Sequence, residues 1–167
     1  MKYKHLVILL FSFIISFLMN ACYSFTGGSV PPHLKTINIA NVNDISGFGN
    51  PEYKDIILQS LLDGFQRDNS LKIVDAGGNS RLIVSITSIT EAPVSISPGE
   101  LETDRRVNLV CDVEFFDVIN QKQIFKRSFS NNDIYAVSEG QSGRDNTIKS
   151  LLNKTSEDIL LSVVSGW

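Results

Sequence analysis

The stretch RRVNLVCDVEFFDV, residues 105–118, alternates with a strict period of two. Val107, Leu109, Cys111, Val113 and Phe115 fall on one side of an extended chain, and Asn108, Asp112 and Glu114 on the other, because successive side chains of a strand point to opposite faces. One apolar face and one wet face fit an antiparallel sheet that covers a core on one side only. Asn120-Gln121-Lys122 then makes a turn, and Gln123–Ser130 pairs back as the second arm of a hairpin.

Upstream, Arg81–Thr90 (RLIVSITSIT) is β-branched and alternates at Leu82, Val84 and Ile86. Ile89 falls out of phase, which predicts a bulge near Thr87-Ser88. The extended chain continues through Val94 and Ile96, and Ser97–Asp104 is a polar loop. His33–Val42 reads as a first strand and Leu71–Val74 as a short one, with a tight turn over Asp75–Ser80. Between the two, Asn50-Pro51-Glu52 is a helix start: Asn as cap, Pro in the first turn, and an acid at the positive end of the dipole. Tyr53, Ile57, Leu61 and Phe65 give that helix an apolar stripe, and Asp68-Asn69 ends it. A polar loop is expected over Asn131–Asp145. A closing helix over Asn146–Val164 has its stripe at Ile148, Leu152, Thr155, Ile159 and Val163, broadened by Leu151 and Leu160.

The order is β-α-β-β-β-α, with the short strand making the sheet four- or five-stranded. Two amphipathic helices need one sheet face to bury against. The expected fold is therefore an α/β two-layer sandwich, mostly antiparallel, with both helices on one face.

The first 21 residues are of another kind. Met-Lys-Tyr-Lys-His is a positive start, and Leu6–Met19 is an apolar run of 14 residues. That is the length of a signal-peptide core and shorter than the roughly 20 residues of a spanning helix. Ala21 is the small residue that cleavage needs before Cys22. Met19-Asn20-Ala21-Cys22 resembles the lipobox of bacterial lipoproteins, where cleavage precedes a diacylated Cys, although Met19 stands where Leu is usual. The division is 1–21 signal peptide, 22–35 lipidated Cys and tether, and 36–167 a single domain. Gly27-Gly28 and Pro31-Pro32 suit a tether. No acidic cluster follows Cys22, which favours a periplasm-facing protein.

Removing the segment takes Lys2 and Lys4 and no acid, so 15 basic residues become 13 against 18 acidic ones, a net of −5. That balance argues against a nucleic-acid partner. The two cysteines are Cys22 and Cys111. With Cys22 acylated, Cys111 has no disulfide partner and reads as a small buried hydrophobe. His5 and His33 are the two histidines. One lies in the signal segment and the other alone in the tether, so no metal set has ligand spacing. No nucleophile elbow, phosphate-binding glycine loop or zinc-protease motif occurs. No catalytic residue, cofactor or metal is expected, and the protein reads as a non-enzyme. Arg105, Arg106, Lys126 and Arg127, with Arg81 nearby, form either a site for anionic groups such as lipid phosphates or ordinary charge at edge positions.

Over the whole mature chain the sequence resembles the LptE family of lipopolysaccharide-assembly lipoproteins, most closely its divergent short branch. The likeness rests on Cys22-Tyr-Ser-Phe-Thr-Gly27 with Ser29-Val-Pro-Pro32, the strand Ile83–Thr90 with its extension to Ile96, Phe125-Lys-Arg-Ser-Phe-Ser130, and a last helix running from Glu157-Asp-Ile159 to Trp167. The resemblance implies a four-stranded sheet carrying two helices. It implies an outer-membrane lipoprotein, lipid-anchored at Cys22 on the periplasmic side. Such a protein plugs the LptD-type β-barrel translocon, assists its assembly and helps deliver lipopolysaccharide to the outer leaflet. In the family, basic residues near the sheet contact lipopolysaccharide; Arg105, Arg106, Lys126 and Arg127 are named for that role on their chemistry. A second resemblance covers only residues 36–75. There the strand, glycine loop, helix and Leu71-Lys-Ile-Val-Asp75 are similar to curli-secretion and cell-wall-synthase activator lipoproteins, which implies a periplasmic secretion or regulatory role instead.

Overall fold

The computed structural model describes residues 30–94 and 101–165. Strand β1 (Thr36–Asp44) leads into helix α1 (Glu52–Asp68) and the two-residue strand β2 (Lys72–Ile73). Strands β3 (Ser80–Pro93), β4 (Asp104–Asp117) and β5 (Lys122–Ala136) follow, then a 3₁₀ turn (Val137–Glu139) and helix α2 (Gly140–Ser165). The sheet order is β2-β1-β3-β4-β5. β1 runs parallel to both β2 and β3 over short ladders. The β3–β4 and β4–β5 ladders are long and antiparallel. Both helices lie on one face, so the two-layer sandwich expected above is the fold.

The alternation in β4 decides which face that is. Val107, Leu109, Cys111, Val113 and Phe115 are all fully buried. They share one core with Tyr53, Ile57, Leu61 and Phe65 of α1 and Ile148, Leu152, Ile159 and Val163 of α2, likewise buried. Each such side chain contributes roughly 1.5–3 kcal/mol through area removed from water. The two helices approach closely at Gly64, where an added Cβ would sit 3.2 Å from Leu160. Ser156, also at this seam, directs its hydroxyl to the carbonyl oxygens of Leu152 and Ile57.

The ladder breaks register between Ile86 and Ser88, which returns Ile89 to the core at 6% exposure. The bulge read from the sequence is thus in place. α1 begins as expected: Asn50 Oδ1 accepts the Glu52 N–H at 3.0 Å. It ends at Asn69, whose left-handed backbone (φ 59°) lets its N–H reach the Phe65 carbonyl.

β1 spans Thr36–Asp44 where the sequence predicts His33–Val42, and the largest difference lies between β5 and α2. β5 runs on to Ala136 and α2 begins at Gly140, so most of 131–145 is regular structure rather than loop. Asn131 occupies a core-facing position of β5, opposite Leu109, and is buried. Its amide donates to Thr155 Oγ1 at 3.0 Å and Asp158 Oδ2 at 2.8 Å on α2. A polar residue in the core phase hides the alternation, and the helix supplies the partners its burial requires.

Candidate functional site

Ala21 and Cys22 lie outside the described residues. The chain that follows them comes into view at Val30, already packed against the core. Leu34 is buried, and its N–H closes a turn onto the Pro31 carbonyl. His33, expected to stand alone, does not: its Nε2 lies 2.6 Å from Asp117 Oδ2 and 3.0 Å from Asn120 Nδ2. Asn120 also donates its backbone N–H and its side-chain amide to the same carboxylate. Burial pushes the Asp117 carboxyl upward. The donors from Asn120 and His33 outweigh it and hold the group down at about 2. The last residues of the expected tether are therefore fastened to the β4–β5 turn. Asp117 shares the phase of the buried residues of β4, and a carboxylate in that phase was the signal that a partner must exist.

The four basic residues named from the sequence fall into two groups. Arg105 and Arg106 open β4 opposite Tyr135 and Ile134. Lys126 and Arg127 lie opposite Glu114 and Val113, eight positions along the same strand, or about 26 Å away at 3.3 Å per residue. Each group also splits between faces. Arg106 and Lys126 are on the open face, while Arg105 and Arg127 are on the helix side. Arg105 is committed to Glu102 at 2.7 Å and Glu91 at 3.3 Å, and the Glu102 hydrogen bond raises its pKa above the usual guanidinium value. Lys126 pairs with Glu114 at 2.5 Å. Arg127 lies 4.5 Å from the Phe125 ring centroid and Arg81 5.4 Å from that of Phe116. Arg106 and Arg127 make no ion pair among the described residues.

Arg105 belongs to a network that the sequence did not reveal. Tyr135 donates its hydroxyl to Glu91 Oε2 at 2.9 Å, and Arg144 of α2 stands 3.8 Å from Glu91 Oε1. Burial, then the Glu91 contact, raises the Tyr135 pKa, so the phenol stays a donor. Glu91 is in phase with Ile89 beyond the bulge, which places a carboxylate at the rim of the core. The arrangement braces the ends of β3, β4 and β5 against the start of α2.

Beside it lies a cleft of about 240 Å³ lined by Phe48, Asn50, Tyr53, Gln141, Arg144 and Asp145. Arg144 covers the Phe48 ring from 5.5 Å. The Tyr53 hydroxyl is buried without an aligned hydrogen bond, beside Asn50. Burial is the main cause of its raised pKa. Cys111 is fully buried, as read from the sequence, and burial pushes its thiol up to about 12. Among the described residues no helix is long and apolar enough to cross a membrane, and no three His, Cys, Asp or Glu side chains are placed to share a metal.

No protein-family model matches the chain, and no curated protein matches it in sequence. Solved structures do share its fold. A Xanthomonas campestris protein of family DUF330 is 9% identical over 83% of this chain and 91% of that one, with a TM-score of 0.60. A hypothetical protein from Chlamydia trachomatis is 8% identical over 80% of this chain and 97% of its own, with a TM-score of 0.57. The rare lipoprotein B from Shewanella oneidensis is 10% identical over 77% of this chain and 90% of that one, with a TM-score of 0.50. At these identities the likeness is one of fold.

Proposed function

We propose that the protein is an outer-membrane lipoprotein, anchored through Cys22, that plugs an LptD-type β-barrel translocon and helps deliver lipopolysaccharide to the outer leaflet. The observation that carries this reading is the fold shared with rare lipoprotein B, joined to an N-terminal segment ending in Ala21-Cys22. The open face of the sheet supports it. Its register places Ser85, Asn108, Asp112, Ser128, Ser130 and Asn132 away from the helices. The face also carries Ile83, Val110, Phe116 and Ile134, and its polar members suit the polar interior of a large barrel. Five strands about 4.8 Å apart under a helix layer about 10 Å thick exceed the lumen of an 8-stranded barrel. They call for a barrel wide enough to hold a plug in its lumen.

Of the basic residues, Arg106 and Arg127 retain free donors for lipid phosphates, because Arg105 and Lys126 already hold carboxylates. Depleting the protein is expected to lower surface lipopolysaccharide and to leave the barrel immature. Detergent extracts of outer membranes are expected to yield the two proteins together. Normal surface lipopolysaccharide with a mature barrel would reject the assignment. A ring of identical subunits in place of a barrel complex would favour the secretion-type role.

A further inference from the structure

The end of the molecule from which the N-terminal segment departs carries a row of cations. β2 contributes Lys72, the lead into β1 Lys35, β3 Arg81 and β5 Lys122, and all four are exposed. They share one end of the sheet. The Lys72 N–H bonds the Lys35 carbonyl, Arg81 pairs with Asn38 and Phe116, and Lys122 pairs with Asp117. β4 ends there in the β4–β5 turn, where Val118 and Ile119 are 39% and 51% exposed. The acids of this end are Asp68, Asp75 and Asp117, and Asp117 is buried and already paired with His33. The opposite end holds Asp44, Glu91, Glu102, Asp104, Glu139 and Asp145; of its cations Arg105 and Arg144 are engaged by acids, while Lys54 and Arg106 make no ion pair among the described residues. The charge is therefore polarised along the strands.

From Cys22 to Val30 there are eight residue steps, which span at most about 29 Å. Val30 packs on the core, and His33 touches Asn120 of the same turn. A chain held at Cys22 thus keeps this end within reach of the bilayer.

We propose that this end rests on an anionic lipid surface, with Val118-Ile119 set among the headgroups and Lys35, Lys72, Arg81 and Lys122 on lipid phosphates. The inference rests on the Cys22 anchor proposed above. Basic side chains gain from such a surface only within about a Debye length. The tether confers that proximity, and the exposed Val-Ile pair supplies apolar contact that a purely electrostatic landing lacks.

The test uses the full lipidated chain in vesicles of phosphatidylethanolamine containing phosphatidylglycerol. An environment-sensitive probe is attached at Ile119→Cys or, as the control, at Leu101→Cys on the far end, which is 90% exposed. Cys111 is buried and does not compete for the label. The expected result is a blue shift at position 119 with quenching by spin-labelled lipid, no change at 101, and loss of the 119 signal in the Lys35→Glu/Lys72→Glu/Lys122→Glu variant. A probe at 119 as water-like as that at 101, on protein that floats with the vesicles, overturns the proposal. So does a 119 shift that persists in neutral vesicles and grows with protein density, which would assign the tip to a second copy. A mature N-terminus without lipid mass sinks the anchor instead. Binding of the unanchored chain to the same vesicles then decides the tip, and no co-flotation overturns it too.

Discussion

Asp117 shows how one residue links the tether to the domain. Its side chain is on the core face and is 5% exposed, yet it is ionised because Asn120 and His33 supply donors that water no longer can. A carboxyl whose folded pKa of about 2 lies below its unfolded value stabilises the fold above that unfolded value, near 3.9. The contribution is lost as pH falls through the folded pKa. The expected outcome is that wild type exceeds Asp117→Asn in denaturant stability by on the order of 2 kcal/mol above pH 4, with the gap closing between about pH 4 and pH 2. Midpoints of urea unfolding across that range check it, and a gap independent of pH would refute the ionic account. His33 itself was legible only as a residue of the tether. Its partner is 84 positions away, and no local pattern encodes such a contact.

At the scale of elements, what could be read tracked how cleanly each face kept its period. β4 from Val107 to Phe115 and the stripe of α1 carry apolar residues at every core position, and the stripe of α2 at all but Thr155, so their buried sets were legible from spacing alone. The second half of β5 was not. Asn131 and Asp133 stand in the core phase, and only Tyr135 restores an apolar body there. The basic residues were visible as residues. Their separation was not, because it depends on which acid each one meets across the ladder. The passage from β5 into α2 turns on Gly140, whose φ of 60° and ψ of −144° belong to a region open almost only to glycine. Nothing lies within 4 Å of the position a Cβ would take, so any cost of substitution is backbone strain and not a clash. Gly140→Ala is expected to destabilise by about 1–3 kcal/mol while leaving the packing of α2 unchanged. Thermal melts with near-UV circular dichroism measure both, and an unaltered melting temperature would show that the turn readily finds another conformation.

For the whole molecule, the buried core runs from Leu34 to Val163, and the proposed role gives the segment before Val30 the task of an anchor. Among the described residues every fully buried apolar member of the core lies between those two, with Val30 packed against it from outside. On that reading the proposed anchor lies outside the part of the chain that packs on the core. Burying acyl chains contributes about 0.8 kcal/mol per CH₂, and a single chain anchors only marginally. The two or three chains that lipoprotein processing adds would hold the domain firmly. Cys22→Ala is accordingly expected to move the protein out of the membrane fraction or leave it with an uncut signal segment. The purified variant should melt within about 0.5 kcal/mol of wild type, the usual range for a change remote from the core. Fractionation, N-terminal mass and a thermal melt read the three effects independently. Unchanged membrane attachment together with no acyl mass on wild type would remove the anchor. A large loss of stability would mean instead that the segment before Val30 belongs to the fold.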